Sequence, residues 1–486
     1  MVIPLAEKPV HLHPLLSRAI DRAQESGETF IVRLPEPKAP RDPWDLAQAA
    51  LWAGEPSSLW SDPDGRQAAV GLMEAWRIEA SGAERFNTLE DRLHALQDRI
   101  IAHEELQQLP LWFGGFRFDD APSDDPHWKH WPSAYLMTHA ITAVRGLEKN
   151  YIVLTLVVRP EDNAASVAQE YQRLREILAA LRSMDEDEQA IDLHFREVDD
   201  KAAWDSKVAA VHEAIQDGTL KKLVLARRVH APWPENTPKA PMPARLLPAL
   251  RVMRTRYQHC TTFALSQGEV RGDSVFFGST PELLIASQGE RLQTMALAGT
   301  APRGTTPEDD RAQSMALLGS PKEREEHAFV VDDIIQNLAS IDIQVRAPSA
   351  PDVVSYRNVH HLCTPIHGQK PPDRGLLRVA KTLHPTPAIC GTDTAAAFEW
   401  LRAHEGMDRG WYAGGVCWLN DMGEGRVSVA LRSGIADAQG VRAYAGAGIV
   451  EGSDATREWE ETRAKLSPVC DAFQVQAAIP LKGIRR

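Results

Sequence analysis

The 486-residue sequence predicts an α+β fold, in which antiparallel β-sheets are flanked by helices. Segments with strand and helix periodicity are interspersed without a regular βαβ order, which disfavours a parallel doubly wound sheet. The nucleotide-binding patterns Gly-x-Gly-x-x-Gly and Gly-x-x-x-x-Gly-Lys-[Ser/Thr] are also absent from the sequence. Hydrophobic residues make up 43% of the chain, which is ample for a large core.

Three segments illustrate the predicted elements. The apolar run 151–158 is too short to span a bilayer and indicates a buried strand. Residues 88–107 predict an amphipathic helix, because apolar residues recur there at helical spacing, namely Leu89, Leu93, Leu96 and Ile100. The alternating segment 426–432 predicts a half-buried strand with one apolar face, formed by Val427, Val429 and Leu431.

An acidic run, Asp185 to Glu188, is typical of a hinge and suggests how the chain is divided. We expect an N-terminal part of the fold over residues 1–195 and a catalytic part over residues 196–480. Residues 481–486 then form a C-terminal tail.

Composition restricts the class of function. A net charge of −13 argues against nucleic-acid binding, and it requires local cations or a metal if the ligand is an anion. The N-terminus lacks a basic region followed by an apolar one, so we expect no secretory signal and no membrane association. The five cysteines are widely spaced and form no Cys-x-x-Cys motif, as in a cytoplasmic protein with reduced thiols.

Two Glu-x-x-Glu pairs stand out among the charged residues: Glu323 with Glu326, and Glu458 with Glu461. Spacing of three places both carboxylates of a pair on one helix face, where their charges repel. Such a face is either solvated or neutralised by a cation, and carboxylate oxygens suit Mg²⁺. Spacing alone leaves both alternatives open.

Lys222 and Glu282 are candidates for proton transfer. Lys222 lies in a predicted strand beside small apolar residues, where a lysine can serve as a general base; the alternative is an edge-strand lysine that discourages aggregation. Glu282 follows a Ser-Thr-Pro turn and precedes a buried strand, a location that suits a general acid. A capping carboxylate explains Glu282 equally well.

Further residues could bind an anion. Arg432 ends the alternating strand and can bind two carboxylate oxygens, whereas Lys465 either does the same or pairs with Glu461 one turn away. The glycine-rich run 443–449 offers backbone N–H groups, although a tight turn explains it as well. His361 is, on residue type alone, more typical of a structural histidine.

The order of these segments resembles the chorismate-binding enzyme family, and the resemblance covers roughly residues 200–475. Ten motifs carry it in sequence order: KLVLAR (222–227), STPELL (279–284), LAGTAPR (297–303), KEREEH (322–327), HLCTP (361–365), HPTPAICG (384–391), GWYAG (410–414), LRSG (431–434), GAGIV (446–450) and EWEET (458–462). The N-terminal part matches chiefly through residues 112–119.

The resemblance implies a role for each matching residue. Lys222 would be the general base and Glu282 the general acid, with Glu326 and Glu461 as Mg²⁺ ligands and Glu323 and Glu458 supporting the metal's water shell. The remaining positions would bind chorismate, namely Gly299, Thr300, His361, Ala388, Tyr412, Leu431, Arg432, Gly446, Gly448 and Lys465.

Two of these positions distinguish activities within the family. Anthranilate synthases usually carry Gln where this chain has Lys222, and salicylate, anthranilate and aminodeoxychorismate synthases tend to have Thr at Ala388. The resemblance therefore implies isochorismate synthase activity, in menaquinone or siderophore biosynthesis, with no glutamine amidotransferase partner, in a monomer or homodimer. A salicylate synthase and a catalytically silent chorismate-binding protein are the alternatives.

Overall fold

The computed structural model describes residues 12–37, 42–47, 54–146, 148–181, 190–237, 239–371 and 374–474. The predicted hinge at 185–188 and the predicted tail at 481–486 lie outside these ranges. The division at residue 195 therefore stays a prediction.

Helices and strands alternate irregularly along the described ranges. The helices are α1 (Pro14–Ser26), α2 (Arg85–Gln97), α3 (Ala164–Leu181), α4 (Lys201–Gln216), α5 (Met242–Arg256), α6 (Pro307–Gly319), α7 (Pro321–Ala339), α8 (Leu376–Leu383), α9 (Thr394–His404) and α10 (Ala455–Cys470). The strands up to residue 266 are β1 (Phe30–Glu36), β2 (Ser57–Ser61), β3 (Ala68–Ala80), β4 (Ile100–Ala102), β5 (Trp112–Phe116), β6 (Ala134–Arg145), β7 (Asn150–Val158), β8 (Arg196–Glu197), β9 (Lys222–Ala231) and β10 (Thr261–Ser266). The remaining strands are β11 (Val275–Thr280), β12 (Leu283–Gln288), β13 (Arg291–Pro302), β14 (Val345–Arg346), β15 (Asp352–Ser355), β16 (Val359–Gln369), β17 (Gly391–Thr392), β18 (Gly415–Leu419), β19 (Gly425–Val429), β20 (Ser433–Asp437) and β21 (Gly440–Ile449).

Strand pairing confirms the predicted antiparallel sheets. Every pair among the described residues is antiparallel except β1 with β4. Two runs of strands diverge from the long strand β6. One continues through β3, β2, β10, β11, β20 and β21 to β9. The other continues through β5, β18, β19, β12 and β13 to β16.

Two large apolar clusters fill the molecule. The first draws side chains from both runs of strands, including Phe113, Phe276, Trp411 and Val427. The second lies beneath α1, α3 and α5. Because residues of both halves of the sequence share the first cluster, the cavity described below is held by strands far apart along the chain. No helix within the described ranges is long and apolar enough to cross a membrane.

Three local predictions have different outcomes. The buried strand at 151–158 is confirmed as β7. The helix predicted over 88–107 is wrong beyond Gln97, since α2 ends there and Ile100 enters β4, which pairs with β1. Ile100 fits the helical spacing by coincidence. Backbone pairing with β1 places this residue in a strand and outweighs the local pattern. The strand predicted over 426–432 ends at Val429.

The five cysteines are all free thiols, as predicted, and four of them are buried. Cys260, Cys363, Cys390 and Cys417 lie in the interior, where burial raises the pKa of each thiol above its ordinary value. A raised pKa keeps these cysteines protonated and unreactive at neutral pH.

Candidate active site

One cavity collects residues from both runs of strands and from two helices. All but two of the predicted site residues line it, namely Lys222, Glu282, Gly299, Thr300, Glu326, His361, Ala388, Tyr412, Leu431, Arg432, Gly446, Gly448, Glu461 and Lys465. Glu323 and Glu458 are not among the lining residues. The structure thus brings together side chains that are up to 243 residues apart in sequence.

Strands β9 and β21 form one wall of the cavity. They pair so that Gly446 lies opposite Ala226 and Gly448 opposite Val224. The glycine-rich run is therefore part of a strand and not the turn that its composition allowed. A Cβ atom at Gly448 would lie 3.1 Å from Lys222 Cε, so a larger residue there would push the Lys222 side chain by a few tenths of an ångström.

Lys222 begins β9 and is almost completely buried. Its ammonium group donates a hydrogen bond to Glu326 Oε1 and forms an ion pair with that carboxylate. Burial raises the pKa of Glu326, but the charge and the hydrogen bond of Lys222 outweigh it, so the pKa lies below its ordinary value. The predicted base and a predicted metal ligand are thus bound to each other.

Glu282 stands directly before β12, at the mouth of a buried strand as predicted. Its backbone N–H contacts Thr280 Oγ1 at 3.3 Å, and its carbonyl accepts from Val429 N at 3.0 Å. Burial raises the pKa of its carboxyl to about 7, although Lys465, Arg432 and Lys222 act to lower it. Glu282 can therefore hold a proton near neutral pH, as a general acid must.

Arg432 and His361 form a second polar unit in the cavity. Arg432 adopts a φ of 48°, a left-handed conformation, so it does not continue the strand as predicted. Its Nη2 lies 3.1 Å from His361 Nε2. Because an arginine only donates, Nε2 accepts and the histidine proton sits on Nδ1, which lies 3.2 Å from the Gly299 carbonyl.

This arrangement keeps His361 neutral. Burial, with the charges of Arg432 and Lys465, lowers the pKa of His361 well below its ordinary value. The ring of Tyr356 lies on another side of the Arg432 guanidinium, whose centre is 5.2 Å from the ring centroid. The guanidinium is therefore held by neutral groups, and its charge is left for an anion in the cavity.

The two Glu-x-x-Glu pairs begin in the first turns of α7 and α10, at Glu323 and Glu458, and reach the second turns at Glu326 and Glu461. Ser320 caps α7 with Pro321 at its first position, and Asp454 caps α10. Lys465 Nζ bonds Glu461 Oε1 at 2.7 Å and the Gly446 carbonyl at 3.0 Å. Lys465 therefore takes part in the predicted i,i+4 pair and also reaches the glycine strand.

Burial and crowding among the carboxylates raise the pKa of Glu323 and of Glu458. Burial, followed by the charges of Glu326 and Glu461, raises the pKa of Glu323. Burial, followed by the charge of Glu461, raises the pKa of Glu458 to about 7. An excess of negative charge therefore lies between the starts of α7 and α10.

A hard cation fits this donor set, because all four side chains offer carboxylate oxygens and repel one another. Within the described residues, however, no three Asp, Glu, His or Cys side chains converge closely enough to hold a metal ion. Glu326 and Glu461 are instead each bound to a lysine. Rearrangement of these lysines is needed before the carboxylates could share an ion.

Sequence reasoning missed several lining residues, most of them apolar: Pro281, Leu297, Ala298, Ile389, Ala413, Tyr444 and Ala445. Tyr444 stacks on Tyr412, with ring centroids 5.3 Å apart and an interplanar angle of 17°. Tyr444 lies within the glycine-rich run 443–449, and that position was the available signal. The apolar lining excludes water from around the charged groups and strengthens their interactions.

Comparison with known proteins identifies the family. The family model described as "Chorismate binding enzyme" matches residues 18–474. The chain belongs to the chorismate-binding enzyme family. A relative in this family, the "Salicylate biosynthesis isochorismate synthase" of Pseudomonas aeruginosa, is 31% identical over 97% of this chain and 96% of its own length. The "Isochorismate synthase MenF" of Bacillus subtilis is 29% identical over 85% of this chain and 87% of its own length.

Solved structures agree on the fold of this chorismate-binding enzyme. The menaquinone-specific isochorismate synthase MenF of Escherichia coli superimposes with a TM-score of 0.76, at 23% identity, over 95% of this chain and 100% of that one. At this identity the likeness confirms the predicted α+β fold and nothing finer.

Proposed function

We propose that this chorismate-binding enzyme is an isochorismate synthase, an isomerase that converts chorismate to isochorismate. The observation that carries the proposal is the presence of Lys222 and Glu282 in one cavity, the latter with a pKa raised to about 7. A base and a protonated acid at one site suit a reaction that adds water and expels hydroxide. The named relatives support the same activity.

The isomerisation removes the hydroxyl group at C4 of the ring and adds a hydroxyl group at C2, whose oxygen comes from water. Lys222 Nζ, once deprotonated, takes a proton from a water molecule as the water oxygen bonds to C2. The ring double bonds shift, the C4–O bond breaks, and Glu282 gives its proton to the departing hydroxyl. One water enters and one leaves, so the product is an isomer of the substrate.

Binding of the dianionic substrate is assigned to the cations of the cavity. Arg432, with Tyr412, would hold the enolpyruvyl carboxylate, and Lys465 with the β21 glycines would hold the ring carboxylate. Arg432 suits this role because its neutral partners leave its charge available. These cations also reverse, locally, the net charge of −13.

We further propose that Mg²⁺ is the cofactor, with Glu326 and Glu461 as ligands and Glu323 and Glu458 behind them. The donor set and the mutual repulsion of these carboxylates support it. When bound, Mg²⁺ would stabilise negative charge drawn toward the ring carboxylate.

The product's fate and the setting of the enzyme are also proposals. Relatives are named for menaquinone, for salicylate biosynthesis and for vibriobactin. We propose that the isochorismate enters menaquinone or siderophore biosynthesis in the cytoplasm, and that the enzyme acts as a monomer or homodimer without an amidotransferase.

Product analysis tests the activity. Purified protein is incubated with chorismate and Mg²⁺, and the products are separated by chromatography. Isochorismate is expected as the enzymatic product. Release of salicylate and pyruvate without an added lyase would instead identify a salicylate synthase. An absence of turnover would favour the silent chorismate-binding protein, against which Lys222 and Glu282 argue.

A further inference from the structure

Arg409 and Glu405 form a buried ion pair behind the cavity. Their side chains are only 3% and 2% exposed, and neither residue lines the cavity. Arg409 Nε and Nη2 donate to the two Glu405 carboxylate oxygens at 2.7 and 2.6 Å, which is a bidentate arrangement. Neither residue takes part in the proposed proton transfers or in the proposed binding of substrate.

The pair is bonded to backbone groups of two cavity walls. Arg409 Nη1 donates to the Ile389 carbonyl at 2.8 Å, directly after Ala388. Arg409 Nη2 also donates to the Val224 carbonyl at 2.7 Å, two residues after Lys222. Both walls are therefore attached to one guanidinium.

Glu405 adds a further connection to the same strand. Its Oε1 accepts from Ala226 N at 2.9 Å. The two members of the pair therefore bond backbone groups of β9 that are two residues apart, at Val224 and Ala226. Val224 N in turn donates to the Cys390 carbonyl at 2.9 Å, which joins β9 to the loop carrying Ala388.

A third wall is joined through the backbone of Arg409 itself. Tyr412 N donates to the Arg409 carbonyl at 3.0 Å, so the turn that presents Tyr412 to the cavity begins at Arg409. The Arg409 guanidinium also lies over the Phe118 ring, 4.4 Å from its centroid, which covers its outer face. Four hydrogen bonds and this ring contact leave the guanidinium little freedom to move.

We infer that Arg409 and Glu405 are positioning residues, which fix Lys222, Ala388 and Tyr412 relative to one another. The inference rests on the proposed isochorismate synthase function. Breaking a buried ion pair costs free energy, so the Arg409–Glu405 pair stays formed. The segments that carry Lys222, Ala388 and Tyr412 are bonded to this pair and therefore keep one relative position. Misplacement of a reacting group by about 1 Å can lower the rate about 100-fold.

Three variants test the inference: Arg409→Lys, Arg409→Met, and the double variant Arg409→Met/Glu405→Met. Lysine keeps the charge but loses the bidentate pair and at least one carbonyl bond. We expect kcat to fall about 10- to 100-fold in all three, because catalytic geometry depends on the lost bonds. KM should change less than about threefold, since Arg432 and Lys465, which bind substrate, are untouched.

The double variant separates positioning from stability. Arg409→Met leaves Glu405 buried without its cation and should lower Tm, whereas replacing both charges by methionine should recover much of the loss. If the pair only stabilises the fold, kcat recovers together with Tm. If it positions the site, Tm recovers and kcat stays low.

A second buried arginine provides the matched control. Arg33 is 1% exposed, lies 3.4 Å from Asp421, and donates to the carbonyls of Leu106 and Pro110 at 3.0 Å. None of these partners lines the cavity. Arg33→Met should lower Tm and leave kcat within about twofold, as expected for a structural arginine remote from the reacting groups.

The outcomes are distinguishable from those of the proposed function. Wild-type turnover with kcat unchanged in Arg409→Lys, or reduced only as much as in Arg33→Met, would overturn the inference and leave the activity standing. If the wild type turns nothing over, the activity fails and the positioning inference, which rests on it, fails with it.

Discussion

Lys222 and Glu326 are bound to each other in the cavity, through the lysine ammonium and one carboxylate oxygen. A lysine ammonium has only N–H donors and no lone pair with which to take a proton from a water molecule. The proposed base therefore requires Glu326 to turn away from Lys222, which would be a second effect of the proposed metal site. If Glu326 held Mg²⁺ there, Lys222 would lose its carboxylate partner.

The first prediction concerns Lys222. Lys222→Met should lower kcat about 100- to 10,000-fold, the usual contribution of a general base, with chorismate still bound. The neighbouring Lys221→Met is the matched control, because Lys221 is exposed and lies just before β9. Chorismate consumption is followed by chromatography. Full activity in Lys222→Met would show that Lys222 is not the general base.

The second prediction concerns Glu282 and pH. Its pKa of about 7 keeps the carboxyl protonated below neutrality, so the acid is lost as pH rises above 7. We therefore expect kcat/KM to fall on the alkaline side of about pH 7, at up to tenfold per pH unit. Glu282→Gln should be much slower and lack this limb. Glu290→Gln should keep the wild-type profile, because Glu290 is exposed in the turn after β12.

The third prediction concerns Mg²⁺. An ion that binds only the native state at about 100 times its Kd stabilises it by about 2.7 kcal/mol, which should raise the Tm of the wild type. Glu461→Gln should abolish the rise by removing a ligand. Its neighbour Glu460→Gln should not, because Glu460 is 57% exposed and pairs with Arg463. Equal Tm shifts in the two variants would disprove the metal assignment.

The order of the motifs predicted which residues line the cavity, but it did not predict how those residues contact one another. Residues such as Glu282 and Lys465 could be assigned because their motifs resemble those of the family, and the structure places them in one cavity. Their mutual contacts depend on strand pairing across the whole chain. The bond between Lys222 and Glu326, 104 residues apart, has no local signal.

Backbone conformation was the second limit. Alternation predicted Arg432 as the end of a strand, whereas its φ of 48° turns the chain before β20. Alternation describes side-chain faces and carries no information on a single left-handed residue. Likewise, Ile100 fits the helical spacing of apolar residues, but it lies in β4. Its partner there is Ile31 of β1, which is 69 residues away in the sequence.

The fourth prediction concerns His361. Its Nε2 accepts from Arg432 at 3.1 Å, so His361→Leu removes the partner that orients the guanidinium. Loss of a hydrogen bond to a charged group costs about 1.5–3 kcal/mol, and we expect KM for chorismate to rise about tenfold or more. His360→Leu is the control, since His360 is equally buried but bonds Ser355 and Asp310 outside the cavity. A similar KM for both variants would contradict the role of His361.

The fifth prediction concerns stability in acid. His139 is completely buried in β6, bonds Ser58 Oγ at 2.9 Å, and packs so tightly on Gly71 that a Cβ there would lie 2.1 Å from its ring. Burial lowers the pKa of His139 to about 3. In the unfolded chain its pKa is about 6.5, so between pH 3 and 6.5 the unfolded state binds the extra proton.

The free energy of unfolding should therefore be unaffected by His139 above about pH 7 and fall as pH drops below 6.5, by up to about 1.4 kcal/mol per pH unit. Urea unfolding at pH 7.5, 6.5 and 5.5, followed by tryptophan fluorescence, measures this slope. His139→Gln can still bond Ser58 but does not titrate, so its slope should be smaller by one proton. Other buried histidines contribute equally to both proteins, so the difference isolates His139. Identical slopes would mean that His139 is protonated in the folded state, and that the Gly71 contact does not exclude water from the ring.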